Sequence, residues 1–191
     1  MRVNLLPCKM IWVDETYIDY MPDAQSLEPM VETTPSLIVC KSMSKCYALS
    51  GLRVAYAVGQ KMTELRRFIP PWAVSLPGQL AAVAALRNPV YYRQQYDIIH
   101  QQREELSRLL QEEMFTVLPG VANFILTFLP EQTHHTSSSF IEACKEKGVF
   151  IRDAQNMGVT LTNKAVRFAI RSQKENARIL QCVKEVLSEN Y

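Results

Sequence analysis

The chain has 191 residues, 48% of them hydrophobic and 21% charged, and a net charge of +2. That balance fits a globular protein with one sizeable core or two small ones, and argues against nucleic acid or an acidic membrane as the main partner, since both need a concentrated basic face. No apolar run approaches the roughly 20 residues that span a bilayer, residues 1–10 lack the apolar core of a signal peptide, and the five cysteines match no zinc-ligand spacing and read as reduced cytoplasmic thiols, so no metal is expected.

The first predicted strand is the apolar run at residues 10–13, followed by Asp14-Glu15-Thr16-Tyr17. A carboxylate at a strand end can keep a pyridine nitrogen protonated, and a phenol three residues later can hydrogen-bond a ring hydroxyl. An isolated Asp-x-x-Tyr is also what a capping Asp and a half-buried core Tyr look like. Residues 36–40 and 53–58 form the second and third strands. Short, β-branched and apolar on both faces, all three suit a buried parallel sheet. Their polar ends would then cluster at one sheet edge, where open α/β sheets bind ligands.

Between the second and third strands lies Ser42-Met43-Ser44-Lys45-Cys46-Tyr47-Ala48-Leu49-Ser50-Gly51-Leu52-Arg53. Two hydroxyls and a guanidinium around a tight turn make a cage for a phosphate dianion. A lysine inside it sits beside whatever the phosphate is attached to, and with an aldehyde cofactor can form a Schiff base. Cys46 beside it reads as a packing side chain.

Beyond Gly59 the pattern turns helical at residues 61–68, 77–87 and 89–114, the last with an inner face of Tyr92, Tyr96, Ile99, Leu106, Leu109 and Leu110. Pro119-Gly120 opens a second region with strands at 122–129, 149–152 and 165–170 and helices at 139–147 and 174–187. Here Arg152 and Arg167, each in or just after a strand, are placed to grip a carboxylate. Asn123 reads as a turn-capping residue that could also steer a substrate. The expected domains are residues 1–100, the larger α/β part, and 101–191, a small α+β part.

Together these segments resemble the fold-type I pyridoxal-phosphate enzymes, specifically class I/II aminotransferases near histidinol-phosphate aminotransferase. WVDETYIDY at 12–20, SMSKCYALSGLRVAY at 42–56, VANF at 121–124, GVFIRD at 148–153 and AVRFAIRSQKEN at 165–176 carry the likeness. The resemblance implies an α/β fold, the C-terminal part of a large cofactor domain plus a small C-terminal α+β domain, and pyridoxal 5'-phosphate as cofactor. It gives Asp14 the pyridinium nitrogen and Tyr17 the phenolic oxygen. Lys45 receives the Schiff base and the later proton transfer. Ser42, Ser44 and Arg53 receive the phosphate, and Arg167 the substrate α-carboxylate. Arg152 takes the position of a second substrate-binding arginine of the threonine-phosphate decarboxylases.

The implied reaction moves an amino group between an L-amino acid and a 2-oxo acid, with decarboxylation of the threonine-phosphate type as the alternative. The implied assembly is a homodimer, or association with a missing N-terminal half. The family's glycine-rich phosphate turn and ring-stacking aromatic would lie upstream of these segments, and the first strand matches the middle of such enzymes. A third expectation is therefore a fragment or split subunit that is inactive alone. Arg171 stands where transaminases often carry a small residue.

Overall fold

The computed structural model describes residues 9–189, so Cys8 and the reading of residues 1–8 lie outside the described part. The chain is α/β and divides into two compact units, residues 1–96 and 97–191.

The first unit is built on three strands, β1 (Ile11–Asp14), β2 (Leu37–Ser42) and β3 (Ala55–Gly59), in the order β1-β2-β3. Leu37, Ile38 and Val39 of β2 are fully buried, as a central strand with apolar residues on both faces requires. β1 and β2 run parallel with Asp14 opposite Cys40. Within an expected mostly parallel sheet, the reading of the third strand as parallel is corrected: β3 runs antiparallel to β2 with Ala55 opposite Ser42. A parallel return needs a crossover, usually a helix. The link here holds a single 3-10 turn, Ser50–Leu52, and closes on itself through Met43 N–H to Val54 O and Leu49 N–H to Met43 O, both 3.0 Å. The reversal still brings the residues before β3 to the sheet edge where β1 and β2 end.

Two helices follow, α1 (Met62–Arg66) and α2 (Leu76–Leu86). α2 starts where Ser75 accepts a hydrogen bond from Gly78 N–H, and proline in its first turn costs nothing because that N–H has no helical acceptor. Gly78 is buried against the link between β2 and β3. A Cβ there would lie 2.9 Å from Val54 Cγ2 and 3.3 Å from Leu52 O, so glycine is what lets α2 approach that link. Helix α3 (Pro89–Glu112) begins in the first unit and ends in the second. Its stripe runs as expected through Tyr92, Tyr96, Ile99, Leu106 and Leu110, with one unexpected member, the buried Arg103.

The second unit carries β4 (Thr116–Val117), β5 (Phe124–Phe128), β6 (Arg152–Asp153) and β7 (Ala165–Ala169) in the antiparallel order β4-β5-β7-β6. Helices α4 (Ser137–Glu146) and α5 (Gln173–Ser188) cover a core that includes Leu106, Leu110, Phe115, Ile125, Phe140, Phe168 and Val183. Phe115 packs edge-on against both Phe140 and Phe168 at 5.9 Å. Capping boxes start both helices, Thr136 with Ser139 and Ser172 with Glu175. The strand expected at 149–152 shrinks to Arg152–Asp153, because Val149 and Ile151 are spent on the core and only the last two residues reach β7.

Candidate active site

The first unit gathers its candidate residues at the carboxyl ends of β1 and β2. Asp14 closes β1 and is exposed. Its Oδ1 accepts the Thr16 N–H at 2.9 Å and the Thr16 hydroxyl at 2.5 Å, a local turn that fixes the carboxylate. The same Thr16 oxygen accepts the Ser42 N–H at 3.3 Å, so one hydroxyl ties the end of β1 to the end of β2. Ser42 and Ser44 place their hydroxyl oxygens 2.7 Å apart, and Lys45 follows, exposed. Tyr17 is half-buried and its ring stands 6.3 Å from that of Tyr20, whose hydroxyl donates to Lys45 O at 3.3 Å.

Cys46 donates to Thr16 O at 3.1 Å, a second tie between the loop after β1 and the lysine loop. Burial, with the charge of Asp19 adding to it, pushes the Cys46 thiol up to about 12. It is a packing group, as expected, and not a thiolate nucleophile. Arg53 caps the link in the left-handed conformation (φ 55°) and its guanidinium donates to Ser50 O at 3.0 Å. Among the described residues, Lys45 has no ion pair, while Lys41, four residues earlier, is taken up by carboxylates.

Sequence reasoning missed that second lysine. Lys41 is buried and lies 3.5 Å from Glu15, 3.7 Å from Asp19 and 3.2 Å from Glu28. The signal was there: a charged residue in an otherwise apolar strand, with acidic residues after the preceding strand.

In the second unit, Arg152 and Arg167 are Cα partners across β6 and β7. Directly opposed residues of an antiparallel pair share a face, and two like charges there repel. Neither arginine forms an ion pair among the described residues, and the Arg167 guanidinium rests 4.8 Å from the Phe124 ring centroid. Asn123 lies just before β5, half-buried, with its carbonyl accepting the Ile170 N–H at 2.9 Å. Arg171 pairs with Glu175 at 2.9 Å and so belongs to the cap of α5. Arg103, also missed, donates from inside the unit to Ala122 O and Phe124 O, pinning the backbone on both sides of Asn123.

A lysine, two hydroxyls and a carboxylate thus stand together at the strand ends of this α/β unit. The sequence profile of the family described as "Aminotransferase class I and II" matches residues 8–183, and the chain belongs to that family. It is 32% identical over 177 residues to Histidinol-phosphate aminotransferase 2 of Archaeoglobus fulgidus, covering 91% of this chain and 49% of that protein. Its fold matches histidinol-phosphate aminotransferase from Sinorhizobium meliloti in complex with pyridoxal-5'-phosphate, at TM-score 0.80 and 24% identity, over 95% of this chain and 50% of that one. It also matches L-threonine-O-3-phosphate decarboxylase from Porphyromonas gingivalis, at TM-score 0.78 and 22% identity, over 93% and 55%. The chain spans about half the length of the curated relatives it matches.

Proposed function

We propose that the chain supplies the lysine-bearing part of a pyridoxal-phosphate-dependent aminotransferase, acting on an L-amino acid and a 2-oxo acid. The observation that carries this is the single Thr16 hydroxyl that joins the Asp14 carboxylate to the Ser42 backbone beside Ser44 and the exposed Lys45. These residues fit the cofactor: hydroxyls for a phosphate, a lysine side chain that as its neutral amine can condense with an aldehyde, and a fixed carboxylate for a pyridinium. When bound, the cofactor supplies the aldehyde that takes up amino groups and the ring that accepts electrons from the substrate's Cα.

Lys45 Nζ takes the Cα proton and returns it, which its exposed, flexible side chain permits. Asp14, already oriented by Thr16, keeps the ring nitrogen protonated, and Tyr17 hydrogen-bonds the ring oxygen. Ser42, Ser44 and Arg53 bind the phosphate. Arg167 takes the α-carboxylate and Arg152 a second anionic group of the substrate, as their opposed placement supports. Asn123 helps position that end of the substrate.

The test is reduction with borohydride in the presence of pyridoxal phosphate, followed by peptide mapping. We expect the adduct on Lys45, at partial occupancy because the chain spans half its relatives' length, and its disappearance in Lys45→Ala. Labelling spread evenly over surface lysines sinks the assignment. Turnover by the 191-residue chain alone is expected to be slow or nil. The opposed Arg152 and Arg167 also suit a phosphorylated amino acid that is decarboxylated, and release of CO2 from threonine phosphate would replace amino transfer with that reading.

Partnership completes the proposal. Phe68, Trp72, Leu76, Leu80 and Val90 are all more than half exposed, and among the described residues β1 pairs on one side only. Both features favour association, with a second copy or with a chain equivalent to the relatives' other half. The four described cysteines are free thiols, which supports a cytoplasmic location. No described helix is long and apolar enough to cross a membrane.

A further inference from the structure

We propose that Lys41 is a positioning residue for the candidate site: its ammonium, clasped by Glu15, Asp19 and Glu28, holds the loop after β1 in register with the loop that carries Lys45. The proposal rests on the functional reading above. Its argument is the way structural and functional residues alternate along the chain. Asp14 precedes Glu15, Tyr17 lies two before Asp19, Ser42 follows Lys41, and Lys45 lies two before Tyr47. Successive residues of a strand point to opposite faces, so β2 sends the Lys41 side chain one way and Ser42 the other.

Each arm of the cluster ends on a different element. Glu15 accepts the Leu27 N–H and the Ser26 hydroxyl, both at 2.7 Å, which anchors it from behind. Asp19 sits in the 3-10 turn Ile18–Tyr20, carries Tyr17 with it and, after burial, is the next cause of the raised proton affinity of Tyr47 in the lysine loop. Glu28 begins the turn Glu28–Glu32 and accepts the Tyr56 hydroxyl at 2.9 Å. Tyr56 is the register partner of Lys41 on β3. One ammonium with three donors therefore links β1, two 3-10 turns and β2, and two tyrosines extend the link to the lysine loop and β3. Three carboxylates around one cation are mutually repulsive without it, so removal of Lys41 should free the whole set at once.

Cys46 reports directly on this register, because its thiol is buried and bonded to Thr16 O across the two loops. In Lys41→Met, thiol labelling of Cys46 should quicken at least tenfold. Amide exchange in residues 14–20 and 42–49 should rise with it, while Cys144 and Cys182 keep their rates. Lys41→Arg, which preserves the cation, should return labelling to within about threefold of the parent chain. Unchanged Cys46 labelling in Lys41→Met, or no rescue by arginine, overturns the proposal. If Lys41→Met does not fold, Glu28→Gln decides instead: a threefold or greater rise at Cys46 is expected, and parental labelling refutes the clasp. These readouts need no cofactor, so a failure of Lys45 to capture pyridoxal phosphate would sink the functional reading without deciding this one. Where capture occurs, the Lys45 adduct should fall at least tenfold in Lys41→Met and recover in Lys41→Arg.

Discussion

The two units solve the problem of holding a fold together in opposite ways. The second closes fourteen buried residues into one cluster under two capped helices. The first has smaller clusters, of four buried residues each, and sets a lysine among three carboxylates. Meanwhile one of its two tryptophans, Trp72, is 94% exposed. It is this first unit, with its buried Lys41 cluster and its exposed Trp72, that carries Lys45, Ser42 and Ser44. The second unit carries Arg152 and Arg167 as register partners on its sheet.

The strongest way to break this contrast is to open the second core. Phe168→Ala removes a ring that is 1% exposed and packs on Phe115, and should cost about 3–5 kcal/mol. Cys144 and Cys182, buried in the same cluster, would become labelled at clearly lower urea. A loss under about 1 kcal/mol would show that the cluster is not what holds this unit.

Alkali should act on the other side of the contrast. Burial raises the proton affinity of Tyr20, Tyr47, Tyr56 and Cys46 in the first unit, with nearby acidic groups adding to it. Burial alone would lower Lys41, but Asp19, Glu28 and Glu15 outweigh it and raise it. Groups whose folded pKa is raised contribute fully below their unfolded pKa and lose that contribution as pH climbs toward the folded value. Cys46 should begin this loss near 9, its unshifted value, and complete it at about 12, with the tyrosines and Lys41 following from 10 upward. In the second unit the raised acids are Cys144 and Cys182. Both tryptophans, Trp12 and Trp72, lie in the first unit, so their fluorescence isolates its urea midpoint, which should hold up to about pH 9 and then fall. A midpoint that stays level to pH 11 would mean that these groups are already hydrated.

A smaller effect tests how tightly α2 sits on the link between β2 and β3. Gly78→Ala places a methyl 2.9 Å from Val54 Cγ2 and 3.1 Å from the Ser75 hydroxyl that caps the helix. Overpacking of this kind costs about 1–3 kcal/mol. Because Leu52 and Val54 flank Arg53, capture of pyridoxal phosphate by Lys45 should weaken along with stability. Ordinary helix propensity predicts the reverse, a gain of about 1 kcal/mol, so the sign alone decides whether the close approach matters.

Much of this contrast was legible in the residues, and the parts that were not share a cause. Strand ends and proline-led helices are local, and Asp14, Ser42 and Lys45 could be placed from their neighbours. The direction of β3 depended on whether the link could carry a crossover, which composition does not reveal. Arg103 recurs on the apolar stripe three residues before Leu106 and four after Ile99, yet what it satisfies is the carbonyls of Ala122 and Phe124. Backbone acceptors have no sequence signature. Lys41 likewise reads as the frayed end of a strand until Glu15, Asp19 and Glu28 are brought to it by the turns between.

The finest difference between the units lies in their helix starts. Ser172 accepts the Glu175 N–H at 3.4 Å, and Glu175 returns two bonds to Ser172 while pairing with Arg171. Ser172→Ala should cost about 1 kcal/mol, read as a lower urea concentration for labelling of Cys182, which α5 itself carries. Ser75→Ala at α2 removes a single bond without a reciprocal partner, 3.2 Å from Gly78 N–H, and should cost less. Equal losses at the two caps would mean that the reciprocal box adds nothing to α5. A larger loss at Ser172 would place the second unit's independence in its helix ends as well as in its core.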